Sequence, residues 1–328
     1  MKKIIYTCPY VPAEWIAAHG LRPSRVIPNL ANSTSAIAQR QGVCPYVRGF
    51  INVALEEESC GIVVTTVCDQ MRRGYDILVR GCEVSAFLMN VPNTWQNVGA
   101  QKLYIDELKR LSRFLVRLGG EQPSNEILIK TMLEYDTARI SILEKRGSLP
   151  ARQFAEIIAE FGRDGPDGIV NNRAVSQPSI KGVPLAIVGG PLMMWDFDIL
   201  ESIEQSGGRI VLNATETCER GMCAPFDCRR LNDEPLMELA NAYLGSIQDA
   251  SRRPNSELYK WLKNEFKSRG VRGIIFHRYI WCDIWHAELQ KLKDWIDLPV
   301  LDIDSTGDNQ THQQRSANRV HAFLEMLQ

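Results

Sequence analysis

The sequence carries no excess of charge of either sign. Thirty-eight basic side chains stand against 39 acidic ones, so the overall balance draws the chain toward neither nucleic acid nor an anionic membrane. It also lacks any run near the ~18 apolar residues that a membrane-spanning helix needs. The opening MKKIIYTCPYVPAEW has two lysines and a short apolar run, but Pro9, Pro12 and Glu14 interrupt it before a signal-peptide core can form. A cytoplasmic location is expected, with no nucleic acid and no membrane among the partners. There is no internal repeat and no low-complexity tract. No C-x2-C pair occurs, which excludes the spacing of zinc fingers and ferredoxins.

What is present is ordinary globular material: 328 residues, 45% apolar and 23% charged, enough for two domains that each bury a core. Short β-branched runs alternate with amphipathic segments. KKIIYT, GIVVTTV (61–67) and SAFLMNV (85–91) come early; PLAIVGG (184–190), RIVLNAT (209–215), GIIFHRY (273–279) and PVLDID (299–304) come late. That alternation predicts an α/β fold of two Rossmann-like parallel-sheet domains. Helical spacing over 98–118, 124–146 and 150–161 predicts a helical connector. A Gly-, Pro-, Asn- and Asp-rich stretch supplies a linker at 163–182, dividing an N-terminal domain with its connector, 1–162, from a C-terminal domain, 183–328.

Nine scattered cysteines, an odd number, argue for reduced thiols or metal ligands rather than a disulfide framework. In open parallel sheets ligands bind beyond the carboxyl ends of the strands. Cys8, Cys68, Cys218 and Cys282 each follow a predicted strand and so fall at that edge. Cys44 precedes Pro45 at a predicted helix start, where the helix dipole favours a thiolate. Cys60 and Cys82 lie before strands, at the opposite edge, and read as structural. The plain alternative for any one of these cysteines is a small buried hydrophobe.

The order of the motifs resembles the 2-hydroxyacyl-CoA dehydratase and benzoyl-CoA reductase subunit family. YTCPYVPAEWIAAHGLRPSRV resembles its early Y-x-P-x-E and A-x-G-x-x-P-x-R pattern, and VCPYVRG its first cluster-cysteine motif. GIVVTTVCDQMRR and VRGIIFHRYIWCDIWHAE resemble the second and third cysteine sites. DLPVLDIDSTGD followed by QRSANRVHAFLEML resembles the C-terminal strand, loop and Arg-bearing helix.

The resemblance implies a [4Fe-4S] cluster between the domains, held by Cys44, Cys68 and Cys282, with one iron open to ligand. It implies an acyl-CoA substrate, a homologous subunit forming a homo- or heterodimer, and an ATP-hydrolysing activator protein that donates one electron. The chemistry would be a lyase reaction, in which a ketyl radical anion of the thioester expels a neighbouring hydroxyl. The alternative within the family is an ATP-dependent reductase or electron-transfer protein. Cys218, Cys223 and Cys228, evenly spaced in TETCERGMCAPFDC, would then complete an [8Fe-9S] double-cubane cluster.

Glu14, in the first turn of a helix after the first strand, is a candidate catalytic carboxylate, against a structural role at the helix dipole. His286, one turn after Cys282, is a candidate acid or base, against a hydrogen-bonding or surface role. Gly189 and Gly190 lack the full G-x-G-x-x-G pattern and read as a structural turn. Arg72 and Arg73 are candidates for a CoA phosphate, against a solvated helix face. Trp281, Trp285 and Trp295 read as core or interface.

Overall fold

The computed structural model describes residues 1–29, 42–81, 85–169, 181–306 and 310–328. The first sheet holds β1 (Lys3–Tyr6), β2 (Arg22–Arg25), β3 (Gly61–Thr65) and β4 (Ala86–Met89) in the order β2-β1-β3-β4. The helices between them are α1 (Ala13–Ala18), α2 (Pro45–Glu56) and α3 (Asp69–Gly81). Three longer helices follow, α4 (Val98–Arg117), α5 (Asn125–Glu144) and α6 (Ala151–Asp164). The second sheet, ordered β6-β5-β7-β8, holds β5 (Val183–Gly189), β6 (Gly208–Ala214), β7 (Gly273–Tyr279) and β8 (Val300–Ser305). Around it lie α7 (Phe197–Gln205), α8 (Cys228–Leu231), α9 (Pro235–Ala240), α10 (Ser256–Ser268), α11 (Asp283–Trp295) and α12 (Gln310–Leu327). All strand pairs are parallel, which makes the protein α/β.

Central parallel strands are covered on both faces, so their runs are mainly apolar, and every residue of β3 and β7 is buried. Alternate residues serve opposite faces. Ile4 and Tyr6 pack with Tyr104, Leu108 and Leu111 of α4, whereas Ile5 packs with Phe50 and Ile51 of α2. Leu185 and Ile187 meet Leu200 and Phe323, and Ala186 and Val188 meet Leu258 and Leu262. The long helices begin where capping chemistry allows: Asn97 accepts the Ala100 N–H at 2.8 Å, and Ser124 accepts that of Ile127 at 3.3 Å.

The two halves interlock. Phe226, Leu239 and Tyr243, from the second half of the sequence, belong to the core under the first sheet. Phe154 and Ile158 of α6 belong to the core of the second. The stretch expected to be a linker from 163 starts inside α6, which runs to Asp164 before Gly165 ends it at φ 70° and a 3₁₀ turn follows. Residues 170–180 of that stretch lie outside the described residues, as does Cys82. The strand β2 has no counterpart among the expected runs. Its sequence, RPSR, is polar, and it pairs only with β1 at the sheet edge. No helix of the described residues is long and apolar enough to cross a membrane.

At the end of α1, His19 is buried between Trp15 O and Ser112 Oγ, each 2.7 Å from a ring nitrogen. Burial holds its pKa below the usual value, against the pull of the Trp15 carbonyl. Because the folded value is the lower one, the unfolded chain binds the extra proton. The stability from this site is therefore complete above the unfolded pKa of about 6.5 and is lost as pH falls through that value. Chemical denaturation across this window is expected to show unfolding free energy declining on acidification, with a shallower slope in His19→Gln.

Candidate functional site

The carboxyl edges of the two sheets border one cavity of about 300 Å³. Its wall is built from the segments that leave β1, β3, β5, β6 and β7, represented by Cys8, Cys68, Pro191, Glu216 and Cys282. Cys44 joins them from the start of α2. Four thiols therefore line this cavity, including all three of the expected cluster ligands.

Each of those three sits where a helix begins. Cys44 is the residue before α2, with Pro45 at the first helical position; Cys68 precedes α3; Cys282 precedes α11. The Met71 N–H donates to Cys68 Sγ at 3.4 Å. Gln70, also in the cavity wall, accepts the Cys44 N–H at 2.9 Å and so ties two thiol-bearing turns together. The third turn is delivered through Trp281, a non-glycine residue at φ 67° whose exposed ring lines the cavity.

Burial, the dominant effect, pushes Cys44 up to about 11 and both Cys68 and Cys282 up to about 12. Backbone N–H groups of Tyr46 and Val47 pull Cys44 the other way without winning. The expectation of an easily ionised Cys44 is thus corrected, because desolvation outweighs the helix terminus. The thiols also feel one another: Cys44 feels Cys68, Cys68 feels Cys282, and Cys282 feels Cys44. They form a mutual triad. None of the eight described cysteines is in a disulfide. No three His, Cys, Asp or Glu side chains among the described residues stand close enough to hold one metal ion.

The remaining cysteines are dispersed. Cys218, expected at the binding edge, instead faces the core with Leu185, Ile187 and Leu200, because the turn after β6 gives the cavity Glu216. Cys223 is buried in the core under the first sheet, and Cys228 is exposed on α8. None of these three lines the cavity, so the double-cubane alternative finds no second set of thiols there. Cys60, half-buried, turns its Sγ toward Lys3 O at 3.3 Å, in keeping with a structural role.

Glu14 does not reach the cavity. It is fully buried, bound to Arg139 and, at 2.5 Å, to the Tyr243 hydroxyl, while Arg139 also donates to Asp136 at 2.7 Å. His286 is exposed on α11 and absent from the cavity wall. Arg72 lines the cavity, 3.6 Å from Asp69, whereas Arg73 donates to Gly42 O at 3.2 Å. Gly189 is a packing glycine: a Cβ there would stand 1.9 Å from His277 O. Trp285 is buried beneath Arg220, whose guanidinium lies 4.8 Å from the ring centre, and Trp295 meets Tyr259 edge-on at 4.9 Å.

Glu216, Asp249 and Tyr279 were not singled out from the sequence. Glu216 follows RIVLNAT directly, so the edge rule that pointed to Cys218 applied to it as well. Asp249 lies in a loop after no strand and gave no signal. Burial, then the Asp249 charge, raises the Glu216 pKa. Asp249 is the more deeply buried of the two, but Arg220 and the Ser251 N–H hold its pKa below the carboxylate range. Tyr279 accepts the Met193 N–H at 2.8 Å and donates to Asp196. Burial opposes ionisation of Asp196, yet His277 and Tyr279 keep its pKa low.

The fold and site define a two-sheet α/β protein with a thiol-lined cavity where the sheet edges meet. A family model described as 2-hydroxyglutaryl-CoA dehydratase, D-component, matches residues 8–327, and the chain belongs to that family. It is thus a 2-hydroxyacyl-CoA dehydratase-like component. No curated protein matches the sequence.

Removing one partner of a buried ion pair strands the other charge, at a cost of about 3–5 kcal/mol. Glu14→Ala is expected to lower unfolding free energy by about that amount. Chemical denaturation of the variant beside the parent checks this.

Proposed function

We propose that this chain is the iron–sulfur component of a 2-hydroxyacyl-CoA dehydratase-type lyase, with Cys44, Cys68 and Cys282 as ligands of one [4Fe-4S] cluster. The convergence of these three thiols on one cavity carries the proposal. The donor set suits the group: three sulfurs, no disulfide to compete, and desolvation that makes each thiol a poor anion until a cationic centre arrives. When bound, such a cluster supplies a low-potential electron and one iron with an exchangeable position.

The protein's own side chains do the remaining work. Val67, Tyr279 and Trp285 give the cavity apolar surface that displaces water from a bound acyl group. Thr65 and Glu216 offer it polar contacts. Arg72 and Arg253 are the cations of the wall and suit the phosphates of CoA. Membership in a family of dehydratase components supports a homologous partner subunit and an ATP-hydrolysing activator as electron donor.

Anaerobic purification is expected to yield about four iron and four acid-labile sulfide per chain. Cys44→Ser, Cys68→Ser and Cys282→Ser should each lose most of this iron, while Cys228→Ser retains it. The electron paramagnetic resonance signal of the reduced protein should change when a 2-hydroxyacyl-CoA is added. A variant lacking all three thiols that still binds four irons would end the proposal.

A further inference from the structure

One turn in the cavity wall is closed by a residue that the backbone there disfavours. The Cys282 N–H donates to Tyr279 O at 3.1 Å, so Tyr279–Cys282 form a four-residue turn with Trp281 in its third position, at φ 67°. A positive φ at that position is ordinarily met by glycine or asparagine, because a larger side chain crowds the backbone. Both sides of the turn are pinned. Before it, the Ile280 N–H donates to Ser305 O at 3.0 Å; after it, Cys282 O accepts the His286 N–H at 2.9 Å in the first turn of α11. Trp281 therefore bends the chain between a fixed strand end and a fixed helix start.

Packing does not offset this strain. Trp281 is 56% exposed, the most open of the seven tryptophans. Its ring stacks on no other aromatic ring and covers no cation among the described residues. What the ring does border is the cavity, beside Ile284 and Trp285 of α11. Strain of this kind collects at binding sites, and an open aromatic ring gains its burial when a ligand arrives. Trp281 directly precedes Cys282, so the ring stands at the thiol end of the cavity. The reacting end of a thioester belongs there, and its adenine does not.

We propose that the Trp281 ring closes over the apolar acyl chain of the bound thioester, binding that chain and shutting water out of the thiol end of the cavity. This rests on the preceding assignment of the cavity to an acyl thioester. Turn and ligand make opposite demands on residue 281: the turn favours glycine, and the acyl chain favours the ring.

The test pairs calorimetric binding with thermal melts of the anaerobic, iron-loaded chain, in the absence of any electron donor so that no turnover occurs. The probes are 2-hydroxypentanoyl-CoA and free CoA. Trp281→Gly is expected to weaken 2-hydroxypentanoyl-CoA at least about tenfold and free CoA no more than about twofold. Trp281→Phe should stay within about threefold of the parent for both, because it keeps an aromatic face. Without ligand, Trp281→Gly should melt no lower than the parent, since glycine takes positive φ freely. Iron content identifies a variant whose turn has changed, and Trp281→Asn, which also accepts positive φ, supplies an independent reading of the same loss. Unaltered 2-hydroxypentanoyl-CoA affinity in these variants overturns the inference, as does an equal loss for free CoA, which would assign the ring to the nucleotide. A ligand-free Trp281→Gly protein that melts well below the parent would show the ring to be structural and overturns it too. Each of these results leaves the cavity assignment standing. Failure of the iron-loaded parent to bind 2-hydroxypentanoyl-CoA overturns both.

Discussion

The cavity depends on one buried cation, Arg252. Only 2% exposed, its guanidinium donates to Tyr10 Oη at 3.0 Å, Pro92 O at 2.9 Å and Leu244 O at 2.9 Å, and lies 4.2 Å from the centre of the Tyr10 ring. Tyr10 follows β1, Pro92 follows β4, and Leu244 belongs to the π-helical turn after α9. One side chain thus joins the first sheet's carboxyl edge to the segment that carries Asp249. A charge that deep is tolerable only when its donors are used, and here the partners come from three separated stretches of chain. Tyr10 extends the network: its own hydroxyl donates to Ile247 O at 3.1 Å, and its carbonyl accepts from Tyr104 at 2.7 Å. The relative placement of the sheet edges is therefore set by polar groups that have no other way to be satisfied.

The same rule orders the rest of the cavity wall. Tyr46 of α2 and Tyr279 of β7 stack with ring centres 6.3 Å apart, each anchored at its hydroxyl, Tyr46 by Thr7 at 2.5 Å and Tyr279 by Met193 and Asp196. Asp249 is neutralised by Arg220, and that guanidinium also braces the turns after β5 and β6.

How much of this the sequence disclosed follows from where the information lies. Strands β3 and β5, and the first half of β7, are apolar runs of the kind that covered parallel strands require, and their positions are legible from that. Helix α4 announces itself through the helical period of QKLYIDELKRLSRFLVRL. Strand β2 was missed because an edge strand bonds through its backbone, and RPSR has no side-chain pattern to betray it. That Cys44, Cys68 and Cys282 share one cavity matches what the family resemblance implies for them, with Cys68 and Cys282 placed after strands and Cys44 at a helix start. Placement alone sent Cys218 to the same edge, and there it failed. Which of two neighbours in a turn faces the ligand depends on loop conformation, and Glu216 rather than Cys218 took that direction. Glu14 illustrates the same limit: a helix start after a strand was read correctly, but the side chain rotates inward to Arg139 and Tyr243, partners more than 100 residues away.

Burial of the thiols carries a final consequence for how such a site is filled. A thiol on an exposed helix terminus would ionise readily and invite oxidation or stray metals. In this cavity desolvation outweighs the three helix termini and favours the protonated thiols. Only a centre with enough positive charge to replace lost hydration, and room to reach all three sulfurs, can draw out their protons. A lone divalent ion meets the first condition but not the second, since no described trio is close enough to share one. Under the proposed assignment, depth suits a polynuclear core whose charge is spread over several metals. The selectivity resides in the geometry of the two sheet edges, and so in the polar network that fixes them.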